Sequence, residues 1–164
     1  MENNIVRGFN DMQTVSEKNR ALINEYLDIA ENASENLDRF VVLLSDDCIW
    51  SLMPPGISLN GIDNVRKFVK MAMKSRKHDN RTKIKIQDWF AVGEKFCVEY
   101  YHAAYVVGIR VKENVCLICH MKDGQFDRVN EYVDTSGSGL IKLGLWLMPI
   151  ISKVKGIHYN RTCV

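Results

Sequence analysis

The sequence is poor in proline, has no Asp or Glu after Asp134, and lacks an apolar run of the roughly 20 residues needed to cross a bilayer. Three prolines and no low-complexity stretch exclude collagen-like or disordered chains. Nothing matches a P-loop, a dinucleotide-binding glycine pattern or a zinc signature, so neither a cofactor nor a metal is expected. Cys48, Cys97, Cys116, Cys119 and Cys163 form an odd set, and the opening Met1-Glu2-Asn3-Asn4 is polar with no apolar signal core. The expected setting is reducing and cytoplasmic. Cys116 and Cys119 have CxxC spacing, but residues three apart on a strand point to opposite faces and do not share a metal.

At 164 residues, 46% hydrophobic and 26% charged, the chain reads as one globular domain large enough to enclose a small ligand. Its net charge of +2 is unevenly placed: Lys142, Lys153, Lys155 and Arg161 give the tail +4 and leave the remainder at −2. The cations of the third helical segment, among them Arg66, Lys67 and Lys70, lie opposite its apolar stripe, as on a solvated face. Nucleic acid is therefore not an expected partner.

Leu22, Ile23, Tyr26, Leu27, Ile29 and Ala30 recur at helical spacing within residues 15–32, Leu37, Phe40, Val41 and Leu44 within a shorter second helix, and Ile62, Val65, Phe68, Val69, Ala72 and Met73 within a third from Ile62 to about Arg76. A short strand from Cys48 to Met53 lies between the second and third, stopped by Pro54 and Pro55. Four strands follow, over 82–92, 94–107, 110–122 and 125–134, with Gly93, Gly108 and Asp123-Gly124 as turns. Helices followed by a curled antiparallel meander predict an α+β fold with the helices on one face of the sheet. The strand from Glu94 is apolar on both faces, and the face away from the helices predicts a homodimer contact. Residues 1–134 are expected to form the barrel domain. Residues 135–164 add a Gly/Ser hinge and an apolar, basic C-terminal helix and tail packed on the same domain. The run Leu140–Ile151 fits three readings: a cover over the barrel end or dimer seam, a lid over a lipophilic pocket, or an interfacial anchor that makes the protein peripheral to a membrane.

The stretch Asp46-Asp47-Cys48-Ile49-Trp50-Ser51-Leu52-Met53-Pro54-Pro55-Gly56, with Asn60-Gly61 before the third helix, resembles the first strand of the SnoaL-like branch of the nuclear transport factor 2-like superfamily. The segment Phe126 to Asp134 looks like the last strand of that branch. The resemblance implies a cone-shaped curved sheet packed on three N-terminal helices, and relatives that include polyketide cyclases, ketosteroid isomerases, limonene epoxide hydrolases and scytalone dehydratases, besides members that only bind. It also implies that Asp134 is an acid pointing into the pocket. Tyr100 and His102 stand where limonene epoxide hydrolase supplies an Arg and an Asp. Trp50 and Leu52 stand where that enzyme has Tyr and Asn, and Leu52 also takes the place of the ketosteroid isomerase base. Neither epoxide hydrolysis nor steroid isomerisation is therefore expected.

With Asp123-Gly124 as a two-residue turn, Lys122 pairs with Gln125 and Cys119 lies opposite Arg128, so that Arg128, Asn130, Tyr132 and Asp134 share the face of Leu117, Cys119 and Met121. The expected catalytic group is His102 oriented by Asp134, with Tyr100 beside it. The expected lining is Tyr26, Trp50, Leu52, Asp88, Leu117, Cys119, Asn130 and Tyr132. Tyr26, on the apolar face of the first helix, reads first as core and alternatively as a hydroxyl that reaches the cavity, and a bulge would turn Asp88 outward. The function these residues predict is cofactor-independent acid/base chemistry, by a cyclase, isomerase or dehydratase of secondary metabolism, on a small lipophilic carbonyl or polyene compound. The rival reading is a non-catalytic ligand-binding or interaction module of the same fold.

Overall fold

The computed structural model describes residues 14–30, 36–54, 56–74, 84–106, 109–134, 136 and 139–161. Helix α1 (Glu17–Ala30) starts where the Ser16 hydroxyl accepts the Asn19 amide at 3.2 Å. It buries Leu22, Ile23, Tyr26 and Ile29. Helix α2 (Leu37–Val42) is a single short stretch that gives way to strand β1 (Leu44–Met53), so Leu44, expected in the second helix, opens the strand instead. Glycines at positive φ, Gly56 (73°) and Gly61 (81°), bracket a further strand beyond the expected ones, β2 (Ile57–Asn60). Helix α3 (Ile62–Lys74) turns Val65, Phe68 and Val69 inward and leaves Arg66, Lys67 and Lys70 in solvent.

The expected meander is present as β3 (Lys85–Val92), β4 (Lys95–Val106), β5 (Ile109–Lys122) and β6 (Gln125–Val133). It does not stand alone. Strand β6 pairs in parallel with β1, β1 pairs with β2, and the two-residue β7 (Asn160–Arg161) adds to β2, giving the order β3-β4-β5-β6-β1-β2-β7. The fold is thus α+β, with the helices against the concave face of a curved sheet. Helix α4 (Gly139–Val154) is a small extra element lying near β4. Thr135, Gly137 and Ser138 of the expected hinge lie outside the described residues.

At the β5–β6 turn, Asp123 (φ 53°) and Gly124 (φ 83°) have the two positive φ angles of a type I′ hairpin. The Asn19 side chain accepts the Gly124 amide at 3.2 Å and ties this turn to α1. Close by, Phe96 and Phe126 stack at 6.0 Å and 20°, with the Tyr26 ring edge-on to both at 5.5 and 5.8 Å. Tyr26 is therefore a core residue whose ring fills the cone. Phe126 is 1% exposed. Phe126→Ala should accordingly lower unfolding free energy by about 3–5 kcal/mol, measured by urea denaturation followed by circular dichroism.

Candidate active site

Strand register lays the concave face out in rows. One row runs Phe96, Cys119, Val129, Trp50 and Leu59; the next runs Val98, Leu117, Glu131, Leu52 and Ile57. The row beyond holds Ile86, Tyr100, Val115 and Val133. Glu131 is the charged member of these three rows. Its Oε2 accepts the indole Nε1–H of Trp50 at 2.8 Å. Trp50, Leu52, Tyr100 and Leu117 are all buried around it. One row further along β4, His102 is level with Glu113 of β5. The side chain of His102 lies outside the described residues.

This arrangement corrects the expected polar lining. The β5–β6 register shifts between His120 and Met121, so that Arg128 faces His120 and Val129 faces Cys119. The extra residue is a β-bulge, which reverses the facing of every later side chain on β6. Asn130 and Tyr132 consequently sit on the outer face, level with Ile118 and Cys116, and Asp134 donates its amide there to Asn114 O at 2.9 Å. The Asp134 carboxylate accepts the Ser136 amide at 2.8 Å. Hydrogen bonds from Ser136 and then Asn114 hold its carboxyl below the usual range, so it is a weak base as well as an outward one. Asp134 does not line the concave face with Trp50 and Leu52, and the acid that does, Glu131, was missed.

A second bulge, between Ile86 and Asp88, turns Asp88 outward level with Glu99, where it accepts the Trp89 amide at 2.8 Å. Asp88 is thus removed from the lining as well. An open groove of about 540 Å³ on the outer face brings Tyr132 and Asp134 together with Gln87, Glu99, Asn114 and Cys116. Both ring nitrogens of His120 meet carboxylates on that side, Nδ1 with Asp127 at 2.7 Å and Nε2 with Glu94 at 3.2 Å, which suits a structural role. Among the described residues no set of His, Cys, Asp and Glu is placed to hold a metal ion.

A family model described as a SnoaL-like domain matches residues 23–129, more than half of the chain. The chain belongs to this family. Solved structures similar to it include a Mycobacterium tuberculosis protein described as an LEH-like epoxide hydrolase (19% identity, 84% of this chain and 95% of that one, TM-score 0.57). A protein described as a putative SnoaL-like polyketide cyclase from Jannaschia sp. (12% identity, 84% and 92%, TM-score 0.59) and one described as a putative ketosteroid isomerase from Kribbella flavida (17% identity, 75% and 82%, TM-score 0.56) are also similar. At such identities the likeness establishes the fold. No curated protein matches the chain.

Three thiols of this SnoaL-like domain, those of Cys48, Cys97 and Cys119, are poor nucleophiles. Burial, then the nearby Asp127 and Asp47 charges, pushes Cys48 up to about 12. Burial and the Cys116 thiol, 3.5 Å away, push Cys97 up to about 12 as well. Cys119, buried on the inner face, is also raised. A thiol whose pKa is raised stays protonated below that value, and the protonated form does not attack. In native protein at pH 8, iodoacetamide should label Cys48, Cys97 and Cys119 at less than about a tenth of the rate seen in urea, read by peptide mass spectrometry.

Proposed function

We propose that this SnoaL-like domain is a cofactor-independent acid/base enzyme, of the cyclase, isomerase or dehydratase type, acting on a small lipophilic carbonyl or polyene metabolite held against the concave face. The observation that carries the reading is the Glu131 carboxylate, set among Leu52, Leu117 and Val98 and oriented by Trp50 Nε1–H at 2.8 Å. The indole N–H orients the carboxylate, and a carboxylate so placed can take a proton from an acidic C–H and return it elsewhere. Tyr100, one row away, supplies a hydroxyl for a substrate oxygen. His102, in the row with Glu113, is the second proton carrier in this reading. Asp134 has no part in it.

A binding module is the second reading, and one observation favours it: Tyr26, Phe96 and Phe126 fill part of the cone with their own rings. A homodimer through the outer sheet face suits either reading, because Phe90, Val92, Ile118 and Tyr132 expose 39–53% of their surface there. Ile118→Asp should convert such a dimer to monomer in sedimentation velocity, since an unpaired charge in an apolar contact costs several kcal/mol.

The test of the catalytic reading is hydrogen–deuterium exchange at carbon, followed by NMR, with a panel of enolisable lipophilic ketones in D₂O. Glu131→Gln should slow exchange by about 10²–10⁴-fold with binding retained, while Asp134→Asn leaves it unchanged. Unaltered exchange by Glu131→Gln would remove the proposed role. Saturable binding without exchange or product in the unmodified protein would establish the binding module instead.

A further inference from the structure

Helix α4 carries an apolar stripe that stands exposed among the described residues. Leu143, Trp146, Ile150 and Val154 are 49%, 69%, 58% and 79% exposed. Their spacing of three, four and four residues puts them on one side of the helix. At about 100° per residue, Lys142 and Lys153 fall beside Trp146 along one border of that stripe, and both are exposed. The chain then turns back at Gly156, whose amide reaches Lys153 O at 3.2 Å. Ile157 is 3% exposed, the His158 amide donates to the Asn64 side chain at 3.2 Å, and Asn160 pairs with Ser58. The C-terminal end of α4 is thus fastened to the body beside β2 and α3 while its apolar stripe faces outward.

We propose that this stripe is an interfacial binding element for an anionic lipid bilayer. Trp146 sits at the boundary of headgroups and acyl chains, and Lys142 and Lys153 reach the phosphates. The 16-residue helix lies along the surface, and no helix among the described residues is long and apolar enough to cross a membrane. Charge selects this occupant over a second copy of the chain. A stripe-to-stripe contact would bring the same lysines together with no acid anywhere after Asp134 to offset them. An anionic surface offsets both. The inference is independent of the proposed chemistry.

The experiment is co-sedimentation of the full chain with phosphatidylcholine vesicles, with and without phosphatidylglycerol, alongside sedimentation velocity without lipid. Binding should require the anionic lipid and weaken as salt rises. Trp146→Asp should abolish it, and Lys142→Gln with Lys153→Gln should weaken it about tenfold or more. Far-UV dichroism of each variant should match the unmodified protein, since these side chains are exposed. Absence of binding, equal binding to neutral vesicles, or loss of self-association on Trp146→Asp without lipid would each overturn the proposal, the last by making the stripe a contact between copies.

Discussion

The stack of Phe96 on Phe126, closed edge-on by Tyr26, is the constraint on which the rest of the concave face depends. It commits Phe126 to the interior at the start of β6. Val129 is also interior, at 1% exposure. Residues three apart on a regular strand point to opposite faces, so both can be buried only if the strand carries an extra residue. The bulge near Asp127 is that residue. It follows that Glu131 and Val133 continue the inner face and that Asn130, Tyr132 and Asp134 continue the outer one.

Much of the architecture is legible in the pattern of apolar residues. The three helical stripes and four β-rich segments, with Asp-Gly at a tight turn, are local signals, and the elements form close to where those signals place them. The polar lining is not legible by the same means, because strict alternation fails in β6 and β3, each of which contains a bulge. A signal was nevertheless present: Phe126, Val129 and Val133 are apolar at spacings of three and four, which no regular strand can keep on one face. In β3, Trp89 and Ala91 break the series Ile84, Ile86 in the same way. Closure of the sheet by the parallel β1–β6 pair and the return of the tail as β7 are long-range pairings, and no local pattern specifies them.

The outer face has a different economy. Three of its carboxylates are engaged with neighbours on the surface: Asp88 with the Trp89 amide, Asp127 with His120, and Asp134 with the Ser136 amide. Carboxylates spent on turns and exposed ion pairs set local geometry and contribute little to stability or reactivity. Glu131 differs by its surroundings, since its neighbours in register are Leu117 and Leu52.

The core and the candidate site are also mechanically joined. Tyr26 leans on Phe40 at 6.3 Å, Phe40 leans on Trp50 at 6.0 Å, and Trp50 holds Glu131 by its indole N–H. The ring that positions the carboxylate is therefore itself positioned by α2 and, through Tyr26, by the same stack that sets the facing of β6. Close-packed interiors transmit displacement instead of absorbing it, so the direction of the Glu131 carboxylate is fixed at two points: its backbone by the bulge, and its terminal oxygen by the aromatic chain. In the acid/base chemistry proposed for this site, a group that meets one C–H bond of a small apolar molecule would need that double fixation, because such a substrate offers few polar handles by which it could be aligned.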